Sequence, residues 1–309
     1  MRRFVIDTDT GSDDAVALVM ALRDPRIQVD ALTVVAGNVP LELGLQNALY
    51  TAELCGSPVP VYRGMATPLL RPHESAQSVH GQDGMGDIGL PLHGREAAPG
   101  HAVDVLIDII NRHPGEIELV TLGPLTNVAM AVLHDPSIAA KVKQCTVMGG
   151  TGQGHGNVTP VAEYNIWVDP DAAKIVFESG MPLTMVGWDI SYKHATFDQH
   201  ESNRLRNVGT RLAEFCIDIQ RTLVEFAVGK MGLEGFDLPD PITMAVAIDP
   251  AVAIDTRRLF VAVETGGEWC RGQTVVDHRG VTGREPNVDV VLEASRERFL
   301  EMLHRAVKD

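Results

Sequence analysis

The sequence FVIDTDTGSDDAVALVMAL, residues 4–22, contains the structural unit that is repeated along much of the chain. Its first part, Phe4–Asp7, is a short apolar run that ends in an acid and predicts a buried β-strand. The apolar segment Ala15–Leu22 predicts a helix, and Ser12 or Asp13 is well placed as its N-cap. A buried strand that leads through a polar turn into a helix is the repeating unit of parallel α/β folds.

The same alternation of strand and helix continues well past the middle of the chain. Further strands are predicted at Gln28–Val35, Ile117–Leu122, Val142–Met148 and Leu183–Val186. Further helices are predicted at about Glu42–Cys55, Ala102–Arg112, Leu125–Leu133 and Pro170–Ser179. This order predicts an α/β protein with a mostly parallel central sheet and helices on both faces.

The last third of the chain departs from that alternation. It is mainly helical from about Asp198 to Ala247, with a break at Gly229–Pro241, and this predicts a helical insertion. Short strands are predicted near Leu259–Val263, Thr274–Val276 and Val288–Val291. A final amphipathic helix is predicted at about Ala294–Val307. The sequence contains no internal repeat, low-complexity tract or Ser/Pro linker, so residues 1–309 are predicted to form a single domain.

Composition excludes several classes of protein. The 309 residues are 45% hydrophobic and 22% charged, which is ordinary for a globular protein. Their 26 Lys and Arg against 41 Asp and Glu give a net charge of −15, so no nucleic-acid partner is expected. No apolar run is long enough for a bilayer, so no membrane partner is expected either. The N-terminal segment turns acidic after six residues, unlike a signal peptide, and the scattered cysteines favour reduced thiols, so a cytoplasmic location is expected.

Polar residues follow the predicted strands where each strand ends. The segments at these ends are Asp7-Thr8-Asp9, Gly37-Asn38, Leu122-Gly123-Pro124 and Met148-Gly149-Gly150, which bring polar side chains and glycine-rich turns together. Ligands of open parallel sheets bind beyond the carboxyl ends of the strands, and the sequence therefore predicts a site at this edge.

Four carboxylates, Asp7, Asp9, Asp13 and Asp14, fall within eight residues of one another. Carboxylates that are forced together either have a raised pKa or bind a cation. Oxygen ligands favour Ca²⁺ or Mg²⁺ over zinc. A solvated acidic turn at a helix N-terminus is the alternative explanation, because negative charge is favoured there.

Two classes of enzyme open with an apolar strand followed by Asp-x-Asp. In phosphatases of the haloacid-dehalogenase type, the first Asp is the nucleophile and the second is the acid, and Asp7, Asp9 and Thr10 fit that pattern. This interpretation predicts a Mg²⁺-dependent phosphohydrolase. It leaves Asp13 and Asp14 unexplained, and no convincing pair of acids ends a late strand.

The string DTDTGSDDA, residues 7–15, resembles the N-terminal signature of the inosine–uridine-preferring nucleoside hydrolase family. Other blocks resemble the family in the same order: VVAGN (34–38), HGQDGMG (80–86), LGPLTN (122–127), MGG (148–150), GNVTPVAEYNIWVD (156–169), Asp240-Pro241 and TVVDH (274–278). The resemblance covers nearly the whole chain. It implies the open α/β fold of this family and a catalytic domain that hydrolyses the N-glycosidic bond of ribonucleosides to free base and ribose.

The resemblance also implies a Ca²⁺ ion held by Asp9, Asp14, Asp240 and the backbone carbonyl of Leu122. Ca²⁺ accepts main-chain as well as carboxylate oxygens, and it would anchor ribose hydroxyls and acidify the attacking water. Asp9 is implied as the general base. The transition state of such a reaction has oxocarbenium character, which nearby carboxylates stabilise, and attack from the face opposite the base implies inversion.

The substrate-binding residues are implied in the same way. The positions that match sugar contacts are Asp13, Asn38, Asn157, Glu163 and Asn165, and Met148 is predicted to line the sugar face, with an ordinary core residue as the alternative. The spacing Glu163-x-Asn165 predicts an extended segment with both side chains on one side. Trp188 is predicted to stack on the base, with a core tryptophan as the alternative.

The leaving base needs a proton donor, and here the sequence departs from the family. Many members carry His directly before the late metal-binding Asp, whereas this chain has Pro239, which cannot donate a proton. His80, which matches a histidine near the base pocket and lies in a Gly-rich segment predicted to be a loop and lid, is implied as a catalytic residue. The other candidates are His155, Tyr192, His194 and a chain of waters. The predicted base preference is purine or broad.

A third, non-enzymatic interpretation is a Ca²⁺-dependent nucleoside- or sugar-binding protein, which would bind its ligand without turnover. For the enzyme, the resemblance implies a small-molecule ribonucleoside substrate, a role in purine or pyrimidine salvage, and a homo-oligomer, either a dimer or a tetramer.

Overall fold

The helices and strands are taken from a computed structural model, which describes residues 1–308. The strands are β1 (Arg2–Thr8), β2 (Ile27–Val34), β3 (Val61–Arg63), β4 (Ile117–Thr121), β5 (Gln144–Met148), β6 (Leu183–Val186), β7 (Thr196–Phe197), β8 (Phe236–Asp237), β9 (Ala253–Val263), β10 (Thr274–Asp277) and β11 (Val288–Ala294). The helices are α1 (Ser12–Arg23), α2 (Leu41–Leu54), α3 (Gln77–His80), α4 (Ala102–Arg112), α5 (Thr126–His134), α6 (Tyr164–Val168), α7 (Pro170–Glu178), α8 (Trp188–His194), α9 (Gln199–Arg206), α10 (Arg211–Asp218), α11 (Arg221–Val224), α12 (Pro239–Ile248) and α13 (Arg296–Ala306).

One nine-stranded sheet organises the molecule, in the order β10-β9-β11-β6-β5-β4-β1-β2-β3. The strands from β11 to β3 in this order are all parallel, whereas β9, near the other edge, runs antiparallel to both of its neighbours, β11 and β10. Strands β7 and β8 form a separate two-stranded sheet. The predicted mostly parallel sheet is therefore confirmed.

The sheet lies between two apolar layers. Successive residues of β1 point to opposite faces, so Phe4 and Ile6 belong to one buried cluster and Val5 to the other. The first cluster includes α1, α2, α12 and α13, and the second includes α4, α5 and α7. Strand β4 is buried at all of its positions, as expected for a strand covered on both faces. The prediction of helices on both faces is confirmed.

The strand ends align at one edge of the sheet. Thr8 of β1 pairs with Val34 of β2, and Asp7 pairs with Thr121, the last residue of β4. Thr121 in turn pairs with Val147 near the end of β5. The polar segments that follow these strands therefore start side by side.

Some local details differ from the sequence predictions. The N-cap of α1 is Gly11, and the predicted caps Ser12 and Asp13 lie in the first turn instead. The reason is that Asp14, within the first turn, caps the helix: its carboxylate accepts a hydrogen bond from the Gly11 N–H at 2.9 Å. Strand β9 extends back to Ala253, well before the predicted start, and β3 was not predicted. Within residues 1–308, no helix is both long and apolar enough to span a membrane.

Candidate active site

Three aspartates that are distant in sequence meet at the carboxyl edge of the sheet. Asp13 and Asp14 lie in the first turn of α1, and Asp240 lies in the first turn of α12, which packs against α1. All three side chains are buried, and one carboxylate oxygen from each lies within 4.8 Å of the others. The structure thus brings the late Asp240 to the N-terminal acids.

Asp9 lies beside this group and is enclosed by two glycines. A Cβ atom at Gly37 would lie 2.0 Å from Asp9 Oδ2, and one at Gly123 would lie 2.6 Å from Oδ1. The backbone N–H of Asn38 donates a hydrogen bond to Oδ2 at 2.6 Å. Asp9 is therefore held in one orientation by the turns that follow β2 and β4.

Asp14 has the most hydrogen bonds of the acids. The Thr8 hydroxyl donates to its Oδ1 at 2.6 Å, and the Asn38 side-chain amide donates to its Oδ2 at 3.0 Å. In contrast, Asp9 Oδ1 and Asp13 Oδ1 are buried without a hydrogen-bond partner in the described part of the chain. We define the acidic cluster as Asp9, Asp13, Asp14 and Asp240.

The negative charge of the acidic cluster favours the binding of a cation. Burial, and then repulsion from Asp14, raises the pKa of Asp9, Asp13 and Asp240 well above that of an ordinary carboxyl. Across residues 1–308, no Lys or Arg forms an ion pair with the cluster. The donors are all oxygens, and two of them lack a partner. This set fits a hard divalent ion such as Ca²⁺ or Mg²⁺.

Glu163 caps the short helix α6. Its carboxylate accepts hydrogen bonds from the N–H groups of Asn165, Ile166 and Gly150 at 2.8, 3.2 and 2.9 Å. Burial raises the pKa of Glu163 to about 7. The predicted extended segment at Glu163-x-Asn165 was wrong, because the carboxylate satisfies free N–H groups at a helix start.

Asn165 links three of the predicted site residues. Its side-chain amide donates to the carbonyl oxygen of Leu122 at 2.7 Å and contacts Met148 Sδ at 3.2 Å. A carbonyl oxygen has two lone pairs, so this bond leaves Leu122 able to accept a second partner. The predicted sugar and metal residues from the β4, β5 and α6 segments are therefore adjacent.

His80 adjoins the acidic cluster, but it does not lie in a loop as predicted. It ends helix α3 and is buried, with Nδ1 at 3.1 Å from Ser12 Oγ and 3.5 Å from Asp13 Oδ1. The Gly-rich segment begins only after it, at Gly81. Burial lowers the pKa of His80 to about 4, so the imidazole is neutral at neutral pH.

Other predicted residues are exposed or are engaged with other side chains. Asn157 is exposed, and its Oδ1 accepts a hydrogen bond from the Tyr164 N–H at 3.0 Å. His155 is exposed, and His194 contacts Glu293 at 2.9 Å. Trp188 is partly buried and packs its ring 5.2 Å from that of Tyr192.

The sequence reasoning missed Asp237. This residue ends the short strand β8, inside the segment predicted only as a break, so no periodic signal marked it. Its Oδ2 accepts a hydrogen bond from the Ser191 hydroxyl at 2.7 Å. Burial raises the pKa of Asp237, which the Ser191 bond and the Trp188 side chain partly offset. The charge of Asp237 in turn raises the pKa of Asp13.

A largely parallel sheet with buried carboxylates and amides gathered at its carboxyl edge defines an α/β enzyme with a site for a small polar substrate. The family model for inosine-uridine preferring nucleoside hydrolases matches residues 4–301, and the chain belongs to this family. It is therefore a hydrolase that acts on N-glycosyl bonds.

Individual relatives cover almost the whole chain. The pyrimidine-specific ribonucleoside hydrolase RihA of Salmonella agona is 37% identical over 301 residues, which are 97% of this chain and 96% of the relative. A plant nucleoside hydrolase has a similar structure with a TM-score of 0.94 at 34% identity, covering 100% of this chain and 99% of its own. A purine-preferring ribonucleoside hydrolase from Gardnerella vaginalis has a TM-score of 0.91 at 32% identity, covering 99% and 98%.

Proposed function

We propose that this nucleoside hydrolase cleaves ribonucleosides to free base and ribose with a Ca²⁺ ion bound by Asp9, Asp14, Asp240 and the carbonyl of Leu122. The single observation that carries this proposal is that the buried carboxylate of Asp240 lies close to those of Asp13 and Asp14 in the first turn of α1. Buried carboxylates without a cationic side chain are unfavourable unless an ion neutralises them. When bound, Ca²⁺ supplies Lewis acidity to a water and oxygen-ligand positions for vicinal hydroxyls.

Asp9 is proposed as the general base. Its Oδ2 is fixed by the Asn38 N–H, while its buried Oδ1 has no partner within residues 1–308. One oxygen thus orients the carboxyl and the other can accept a proton from water. The neighbouring carboxylates also favour the positive charge that develops on the sugar.

The ribose is proposed to lie over the residues between the acids and α6. Polar side chains at these positions can both donate to and accept from hydroxyl groups. The proposed sugar contacts are Asp13, Asn38, Met148, Asn157, Glu163 and Asn165. Trp188 is the proposed base contact, and His80 is the proposed catalytic residue near the base. Neutral His80, beside Asp13, can hydrogen-bond the substrate without carrying a charge.

The proposed base preference is broad. Curated and structural relatives at similar identity include a pyrimidine-specific enzyme and a purine-preferring enzyme. Because relatives of both preferences are similar to this chain, we favour a broad base preference over a strict preference for purines.

A panel of ribonucleosides assayed for free ribose tests this proposal. Uridine, cytidine, inosine, adenosine and guanosine would each be incubated with the protein, with and without added Ca²⁺. Release of base and ribose from members of both base classes supports broad hydrolysis. Release from one class alone would reject the broad preference, and release from none would reject the substrate class.

The two alternative functions are decided by adding a nucleotide and a ligand-binding measurement to that panel. The nucleophile of a phosphohydrolase would be Asp7, whose Oδ1 accepts hydrogen bonds from Thr33 and Asn127 at 2.5 and 2.8 Å. Phosphate release from a nucleotide without base release would restore that alternative. Ligand binding without turnover would favour the Ca²⁺-dependent binding protein.

Four broader expectations stay predictions. They are a single catalytic domain over residues 1–309, a homo-oligomer of two or four copies, a cytoplasmic location and a role in nucleoside salvage. Light scattering of the purified protein tests the second directly.

A further inference from the structure

The segment that follows β5, residues 149–157, is unusually rich in glycine. Five of its nine residues are glycines, and it joins Met148 to Asn157, two of the proposed sugar contacts. Glycine loses more backbone freedom on folding than any other residue, so such a segment does not hold one conformation by itself. Its conformation must therefore be imposed by side chains from elsewhere in the chain.

Gly150, in this segment, bonds to two proposed substrate contacts through its own backbone. Its N–H donates to Glu163 Oε2 at 2.9 Å, and its carbonyl accepts a hydrogen bond from the Trp188 N–H at 2.9 Å. Its φ of +67° is one that glycine adopts without strain. Glu163 is the proposed sugar contact and Trp188 the proposed base contact. A shift of Gly150 would therefore move both groups relative to the substrate.

The side chain of Thr274, the first residue of β10, holds this turn in place. Its hydroxyl accepts a hydrogen bond from the Thr151 N–H at 2.9 Å and donates one to the Thr151 carbonyl at 2.9 Å. A Cβ atom at Gly150 would lie 2.5 Å from Thr274 Cγ2, so the threonine packs directly against the Gly150 backbone. Both threonines are buried, so these polar groups depend on each other for hydrogen bonds.

Two further side chains bond the residue that comes next, Gly152. Asp189 of α8 accepts the Gly152 N–H at 2.8 Å, and His278 Nε2 lies 2.8 Å from the Gly152 carbonyl. A carbonyl oxygen can only accept, so this ring nitrogen of His278 carries the hydrogen. Thr274 and His278 are the first and last residues of the TVVDH block, to which the family resemblance assigned no role. The block therefore acts on the turn after β5.

We propose that Thr274 is a positioning residue for substrate binding. It fixes Gly150, and Gly150 in turn orients Glu163 towards the sugar and Trp188 towards the base. This inference rests on the proposed function, which assigns those two contacts. The hydroxyl is the required group, because only an atom that donates and accepts at once satisfies both backbone groups of Thr151. Since Thr274 acts through Gly150, its loss weakens substrate binding more than the chemical step.

The test is steady-state kinetics of the intact protein with uridine and inosine. Thr274→Val keeps the shape of the side chain but leaves two buried backbone groups unpaired. KM is expected to rise about tenfold, the loss of roughly one good hydrogen bond, with a smaller change in kcat. A merely structural role would lower the amount of folded enzyme, and hence the apparent kcat, without raising KM.

The matched variants separate the hydroxyl from the rest of the side chain. Thr274→Ser retains the hydroxyl and should have a KM near that of the unchanged protein. The control is Thr256→Val, the same change at an exposed position of β9, which should alter neither KM nor kcat.

Two further variants keep the test decisive. His278→Ala removes a bond to the same turn from an exposed side chain, so it should raise KM by a smaller factor even if Thr274→Val folds poorly. The double variant that combines Thr274→Val with Glu163→Ala tests the link itself. Its KM should rise by less than the product of the two single rises, because both changes act on the same carboxylate.

Equal KM values in Thr274→Val and Thr274→Ser would overturn this inference, as would a double variant whose KM rises by the full product. Either result leaves the proposed function intact, because the unchanged protein still releases ribose. An unchanged protein that releases no ribose from either nucleoside would instead overturn the proposed function, and this inference with it.

Discussion

The Asp9 carboxylate lies so close to the backbone of Gly37 that a Cβ atom there would sit 2.0 Å from Oδ2. Gly37 has an ordinary backbone conformation, so its lack of a side chain, and not a special φ, is what the site uses. The next residue, Asn38, donates its N–H to the same oxygen at 2.6 Å. The turn after β2 thus fixes the orientation of the proposed base.

Gly37→Ala should displace Asp9 and reduce turnover. The added methyl group forces a shift of a buried side chain, and such overpacking costs about 1–3 kcal/mol of stability. We expect kcat to fall by more than about tenfold, because small misplacements of catalytic groups are costly. The matched control is Gly229→Ala, where no atom lies within 4 Å of the added Cβ, and its kcat should be unchanged. Equal behaviour of the two variants in steady-state assays would contradict this role of Gly37.

Asp9→Asn should abolish turnover while preserving the fold. The amide keeps the size of the side chain but cannot accept the proton of water, and loss of a general base lowers the rate about 10²- to 10⁴-fold. The comparison is Asp108→Asn on the exposed face of α4, which should retain full activity. Rates near those of the unchanged protein in the Asp9 variant would reject Asp9 as the base.

Asn165→Ala should mainly weaken substrate binding. The variant loses the amide that bonds the Leu122 carbonyl and contacts Met148 Sδ, so the proposed sugar surface loses its central hydrogen-bonding group. We expect KM to rise about tenfold, the loss of roughly one good hydrogen bond, with a smaller change in kcat. Asn203→Ala on α9 serves as a control. A drop in kcat at constant KM would show that Asn165 acts in the chemical step instead.

Asp277→Asn should lower thermal stability at neutral pH but not in strong acid. Hydrogen bonds from Thr282, then from Val281 and Arg279, lower the pKa of Asp277 from 3.8 to about 2. Because the folded pKa lies below the unfolded one, the charged form stabilises the fold fully above about pH 4, and this contribution is lost as the pH falls towards 2. Tm should therefore be lower in the variant at pH 7, with a difference that shrinks in acid. A constant difference across this range would contradict the assignment.

The sequence predicted the layers of the fold well, because periodicity reports burial. Strand β4 and helices α4 and α5 lie within a residue or two of their predicted bounds, since each has one clear apolar pattern. The strand order was beyond prediction. It depends on pairings such as β11 beside β6, between segments that are far apart in the sequence.

Candidate site residues could be predicted where they belong to a local sequence motif. They were missed where only tertiary contacts identify them. Asp13 and Asp14 were visible in a dense acidic string, whereas Asp237, at the end of β8, follows no periodic pattern. Likewise, His80 and Glu163 were expected in irregular or extended segments. Their positions at the ends of short helices depend on hydrogen bonds that spacing does not show.

The proposed reaction requires a divalent ion within the acidic cluster, and removal of that ion is the most direct test. The protein would be stripped with EGTA, dialysed against metal-free buffer and assayed for ribose release from uridine and inosine before and after Ca²⁺ is added back. We expect activity to disappear on stripping and to return with about one equivalent of Ca²⁺, because one ion neutralises the one buried cluster. Full activity in the exhaustively stripped protein would contradict the account.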